Sequence, residues 1–123
     1  MQFRASIAIY LQIAEYICER ILLKQWKSGE RIPAVRELAV QLEVNPNTVM
    51  RTYEFLQGQN IIHNQRGIGY FVSPDAVKNA TQHRKTEFIE KELPSIFRNM
   101  YMLEMDIEDL KTRYEKFKKQ HFK

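Results

Sequence analysis

The stretch VNPNTVMRTYEFLQ, residues 44–57, decides the reading of the whole chain. Asn45 stands directly before Pro46. Asparagine caps a helix by accepting an orphan backbone N–H, and proline suits the first helical position, where its missing N–H is not needed. A helix is therefore expected over about 46–57. Val49, Thr52, Tyr53 and Leu56 recur on one side of it and form the inner face. Asn47, Met50, Arg51 and Glu54 fall on the other side and look outward.

Immediately upstream, Val35, Leu38, Ala39 and Leu42 share one face of a second, shorter helix that follows Pro33. Two short helices separated by three or four residues must cross sharply, which is a helix-turn-helix corner. Downstream, Ile61-Ile62-His63 and Tyr70-Phe71-Val72 are β-branched and aromatic runs flanking a polar turn with Gly67 and Gly69. They predict a hairpin with Arg66 at its tip. A helix-turn-helix followed by a basic-tipped hairpin is a winged helix, which can place one helix in a major groove and the hairpin on the adjacent backbone or minor groove.

Further upstream, Ile9, Ile13, Tyr16, Ile17 and Ile21 form one apolar stripe, so a helix is expected within 7–24, ended by the KSGERIP segment. After the hairpin, Ser73-Pro74-Asp75 reads as the capped start of a helix from about 74 to 92. Leu93 precedes Pro94, and a residue before proline is pushed out of the helical region, so a break or kink is expected there. A short helix through Ile96, Phe97 and Met100 follows, then a last helix capped by Asp106 with Ile107, Leu110, Tyr114 and Phe117 at heptad-like spacing. The expected fold class is mainly α with a small β-hairpin. A winged helix-turn-helix occupies residues 1–74 and a helical dimerisation tail occupies 75–123. Phe97, Met100, Ile107, Leu110, Tyr114 and Phe117 are its candidate interface.

Composition narrows the classes without choosing among them. The chain has 123 residues, 44% hydrophobic and 28% charged, which suits a folded soluble protein. Its net charge of +4 favours a polyanionic partner only weakly. Residues 1–75 carry eight Lys/Arg against seven Asp/Glu, so a nucleic acid would be held by a few placed cations. The single cysteine, Cys18, cannot form an intrachain disulfide or a zinc site, and its apolar helical setting predicts a buried, inert thiol. The N-terminal segment is interrupted by Arg4, Gln12, Glu15 and Glu19, unlike a signal peptide. No apolar run reaches the length of a membrane span, so a cytoplasmic protein is expected. His63, His83 and His121 are dispersed, the serines have no nucleophile-elbow context, and Gly67-Ile68-Gly69 is a wing turn, not a phosphate loop. No enzyme, metal or cofactor is expected.

The runs IYLQIAEYI, WKSGERIPAVRELA, VNPNTVMRTYEFL and RGIGYFV, in this order over about residues 7–73, resemble the GntR family of bacterial regulators. The Val-Asn-Pro-Asn-Thr-Val run, the short tail and Glu-Leu-Pro at 92–94 resemble its YtrA-like subfamily. The resemblance implies a repressor-type homodimer on a pseudo-palindromic double-stranded DNA operator, with a tail that dimerises and lacks the large effector domain of longer relatives. So short a tail cannot readily enclose an ordinary effector pocket, and the residues name no effector. Carried over from the family's pattern, Arg36 contacts DNA; the polar start and exposed face of the second motif helix add Asn45, Asn47, Thr48 and Arg51, and the wing turn adds Arg66 and Gly67. Arg36 suits a guanine, whose O6 and N7 match its fork. Lys27, Arg31 and the Tyr53 hydroxyl are weaker phosphate candidates. Competing readings stay open: Arg36 paired with Glu37 or Glu43, Arg51 paired with Glu54 or Glu43, and Asn45 as a cap alone. Three positions depart from the pattern: Ala34 for a frequent Ser, Asn60 for a Gly before the first wing strand, and Glu104 for a Gly in the tail loop. A protein-binding winged helix and a lipid-facing tail are the rival functions. The outward Arg36, Asn47 and Arg51 speak against the first, and heptad spacing speaks against the second.

Overall fold

Helix α1, Ile9–Leu22, buries Ile13, Ala14, Ile17, Cys18 and Ile21 along one face. The computed structural model describes residues 1–4 and 6–122. Ile9, expected on the inner stripe, is 43% exposed because it opens the helix and lies beyond the packed turns. Gln12 takes an inner place instead, and its amide is fully used. Nε2 donates to the carbonyls of Arg4 and Ile7, both at 2.7 Å, and Oε1 accepts the Arg4 N–H at 2.8 Å. A buried amide is tolerated when it is bonded in this way, and here it fastens the N-terminal arm to α1.

Helix α2, Val35–Leu42, begins at Ala34, which has no side-chain oxygen to cap with. Glu37 supplies half of a capping box by accepting the Ala34 N–H at 3.0 Å. Only Glu43, Val44 and Asn45 separate α2 from α3, Pro46–Gly58. Asn45 caps α3 as expected, its Oδ1 accepting the Asn47 N–H at 2.8 Å. Val49, Thr52, Tyr53 and Leu56 are buried. Thr52 Oγ1 donates to the Tyr10 carbonyl at 2.8 Å, which ties α3 to α1.

Strands β1, Ile62–Gln65, and β2, Gly69–Val72, pair antiparallel, with Ile62 opposite Val72 and Gln65 opposite Gly69. The segment before α2, expected as a plain loop, runs along β2. Gly29 N–H donates to the Val72 carbonyl, Val72 N–H to Glu30, and Ile32 N–H to Tyr70, each at 2.9 Å, and Arg31 bridges Phe71. Strand β2 is thereby held on both edges, by β1 and by residues 29–32.

Helix α4 spans Ala76–Glu87, starting two residues later than expected. Its small residues Ala76 and Ala80 are buried in the same core as Ile13, Leu38, Tyr53 and Val72. The chain packs as two compact units, Met1–Lys85 and Thr86–Lys123, and the first turns of α4 complete the N-terminal core.

Of the break or kink expected at Leu93-Pro94, the chain does not break, and the helical path is instead irregular just before it. A π-helical turn, Phe88–Glu92, leads directly into α5, Leu93–Met102. Leu93 keeps helical angles, φ −59° and ψ −41°, and its N–H donates five residues back to Phe88. A π turn inserts one extra residue and relieves the crowding that a proline ring makes with the preceding turn. Helix α6, Ile107–His121, starts in a reciprocal box: Asp109 N–H donates to Asp106 at 2.9 Å and Asp106 N–H to Asp109 at 3.1 Å. Among the described residues no helix is long and apolar enough to cross a membrane.

Candidate nucleic-acid interface

The first two turns of α3 present Asn47 and Arg51 outward, both exposed, with Thr48 half-buried beside them. Asn45 is exposed as well. Its Oδ1 is committed to the cap, so the amide N–H2 is the group that can reach outward. Arg51 pairs with neither Glu54 nor Glu43. Its guanidinium instead lies 4.0 Å from the Tyr10 ring centroid. The Tyr10 ring is itself edge-on to Phe55, with centroids 6.3 Å apart. This stack holds the arginine fork without neutralising it.

Arg36 is exposed in the first turn of α2. Glu37, the carboxylate nearest in sequence, is occupied by the Ala34 N–H. Arg66 is exposed in the wing turn, which is closed by Ile68 N–H donating to Gln65 at 2.9 Å. Gly67 supplies a φ of +79° at the third position of that turn, where a positive φ favours glycine. Lys27 and Arg31 are exposed in the segment that flanks β2. The Arg31 guanidinium lies against the wing backbone, since a Cβ on Gly69 would fall 2.9 Å from its Nε.

These five cations share one property. Among the described residues, none of Lys27, Arg31, Arg36, Arg51 and Arg66 is in an ion pair. Arg4 and Arg84 pair with Glu15 at 2.9 and 3.2 Å, and Arg20 approaches Glu19 at 3.7 Å. The cations on the wing, on α2 and on α3 are left unneutralised.

Tyr53 leaves the set of DNA candidates. It is 0% exposed, and its hydroxyl donates to the Pro33 carbonyl at 2.6 Å. Burial pushes its pKa up, and the phenol serves as an internal tie between α3 and the start of α2. Met100 likewise leaves the tail's candidate interface, because it is only 7% exposed in the single chain. The other tail residues remain available. Phe97, Ile107, Tyr114 and Phe117 are between 50% and 61% exposed, and Leu110 is half-buried. Ile107, Leu110, Tyr114 and Phe117 line one open apolar groove with Phe88, Leu93 and Ile96.

Sequence reasoning put Met50 on the outward face and Tyr70 in the wing without linking them, and gave Tyr10 no place beside Arg51. Tyr10 supports Arg51 across the α1–α3 crossing, which local periodicity does not encode. Met50 and Tyr70 meet across α3 and the wing, the Tyr70 hydroxyl lying 3.9 Å from the Met50 sulfur. The available signal was an apolar residue on an otherwise polar outward face.

The profile described as bacterial regulatory proteins of the gntR family matches residues 9–72. The HTH-type transcriptional repressor YtrA of Bacillus subtilis is 34% identical over 107 residues, covering 87% of this chain and 82% of that protein. The uncharacterised HTH-type regulator YhcF of Bacillus subtilis is 44% identical over 75 residues, covering 61% of this chain and 62% of that protein. A crystal structure of a GntR-family regulator from Bacteroides thetaiotaomicron superposes with a TM-score of 0.74 at 47% identity, covering 92% of this chain and 98% of that one. The matched span runs from α1 to the end of the wing, the elements that carry the unpaired cations. The chain therefore belongs to the gntR family of bacterial regulatory proteins and is a DNA-binding transcriptional regulator built on a winged helix-turn-helix, not an enzyme.

Proposed function

We propose that this chain is a cytoplasmic repressor that binds a pseudo-palindromic operator as a homodimer. In this reading α3 enters the major groove and the wing lies on the adjacent minor groove or backbone. The observation that carries it is the set of exposed cations without an ion pair on α2, α3 and the wing, together with the exposed polar residues at the N-terminus of α3. A cation left without a carboxylate on a folded surface can exchange its counterions for phosphate oxygens. Arg36, Asn47 and Arg51 then address base edges or phosphates. Asn45 and Thr48 hold the backbone at the helix start, while Arg66 and Gly67 meet DNA at the wing, and Lys27 and Arg31 add phosphate contacts. The exposed apolar residues Phe97, Ile107, Leu110, Tyr114 and Phe117 form the dimer contact of the tail. The repressor assignment is supported by the likeness to YtrA, whose described role is repression.

The test is a binding titration at fixed salt on a duplex that the unaltered protein selects from a random pool. Arg36→Ala and Arg51→Ala should each weaken binding by about 1–3 kcal/mol where the contact is to a base edge. Melting should be unchanged in Arg36→Ala and lowered in Arg51→Ala by no more than its stack on Tyr10, about 0.5–1 kcal/mol. Undiminished affinity in both variants would contradict the assignment.

A further inference from the structure

We infer that Met50 is a base-reading residue of α3, making apolar contact with the C5-methyl group of a thymine, and that Tyr70 of the wing positions it. The inference rests on the major-groove reading of α3 proposed above. The outward side of α3 is otherwise polar or small, with Asn47, Arg51, Glu54 and Gly58 exposed. Met50 is 38% exposed on that side, although its neighbour Val49 is completely buried. It lies one helical turn after Asn47 and next to Arg51, within the part of a recognition helix that meets base edges.

The side chain is tethered as well as exposed. Tyr70 donates its hydroxyl toward the Met50 sulfur at 3.9 Å. The Tyr70 ring stands edge-on to Tyr53, with centroids 4.8 Å apart and planes at 71°. Tyr53 is itself fixed to the Pro33 carbonyl at 2.6 Å. A flexible thioether is thus linked through two aromatic rings to the core, and to the wing that would lie against the same duplex. Among major-groove features, a thioether is chemically suited to one. It is a weak acceptor and no donor, so it reads no amino or carbonyl edge well, whereas the thymine methyl offers an apolar partner. Burying one methyl-sized group corresponds to about a fourfold change in affinity.

The experiment uses the full chain and a duplex selected by it from a random pool, resynthesised with each thymine in turn replaced by deoxyuridine, which removes only the methyl. At one thymine per half-site, unaltered protein should lose about fourfold in affinity, Met50→Ala should lose almost nothing, and Met50→Leu should keep the loss. Tyr70→Phe, which keeps the ring pair but removes the O–H, should reduce the ratio. If Met50→Ala shows the same deoxyuridine penalties as unaltered protein, or if no thymine carries a penalty, the role of Met50 is overturned. If Tyr70→Phe leaves the ratio intact, its positioning role is overturned. A pool that yields no enriched duplex overturns the operator reading itself, and this inference with it.

Discussion

At the scale of single residues, Arg51 shows how a charge is kept both ordered and available. An exposed arginine has much rotamer entropy to lose on binding, and its stack on Tyr10 removes part of that loss beforehand. Tyr10→Leu should therefore weaken operator binding about two- to fivefold, the equivalent of an exposed cation–π contact, while Tyr10→Phe should not. An equal effect of both variants would mean that the ring face is not what matters. Cys18 gives the opposite case, a reactive group made inert. Burial, partly opposed by Arg84 and reinforced by Glu15, pushes its thiol from near 9 up to about 12. The folded thiol at pH 8 should resist a disulfide reagent that labels it at once in denaturant. The sign of its linkage is fixed: the unfolded chain releases the proton first, so this contribution to stability is complete below pH 9 and falls as pH rises toward 12. Cys18→Ala should flatten the decline in denaturation midpoint between pH 8 and 10.5, and an unchanged slope would contradict the burial.

At the scale of elements, the four non-glycine residues with positive φ have a single explanation. Lys24, Glu43, Asn60 and Glu104 each follow a helix, α1, α2, α3 and α5 in turn, and each takes the left-handed conformation. At Asn60 the Asn60 N–H donates to Gln57 and the Ile61 N–H to Leu56, and at Glu104 the same pattern runs Glu104 to Tyr101 and Met105 to Met100. This is the Schellman ending, in which glycine is the usual left-handed residue. The departures from glycine at Asn60 and Glu104 therefore preserve the turns and carry local strain, least at asparagine. Glu104→Gly should stabilise the chain by about 0.5–1 kcal/mol, read as a higher denaturation midpoint. At the other end of a helix, Asn45→Ala should destabilise by about 1 kcal/mol, while Asn45→Ser keeps the cap. Loss of operator binding in the stable Asn45→Ser variant would separate the contact role of the amide from its cap.

What the sequence disclosed follows from range. The α2–α3 corner, the wing and the Asp106 cap are local patterns, and the structure places them where periodicity and capping put them. The pairing of residues 29–32 with β2 involves segments some forty residues apart, and the KSGERIP run alone carries no strand signal. The π turn before Pro94 was hidden because the pre-proline rule describes an ordinary helix and not one widened by a residue. Among the site residues, exposure of Arg36, Asn47, Arg51 and Arg66 was legible from helical phase and turn position. The loss of Tyr53 to the Pro33 carbonyl and the gain of Tyr10 under Arg51 depend on how helices cross.

At the scale of the whole molecule, the chain forms two compact units: the first carries the helix-turn-helix and the wing with their exposed cations, and the second carries the exposed aromatic side chains Phe97, Tyr114 and Phe117. A chain that binds one half-site through α3 and pairs through its tail must recognise a repeated, inverted sequence, because a twofold dimer presents the same face twice. Selection of bound duplexes from a random double-stranded pool tests that claim most directly. The account predicts enrichment of an inverted repeat whose half-site centres lie about one helical turn, or a whole multiple, apart. Enrichment of a lone half-site, or no enrichment above the starting pool, would contradict it.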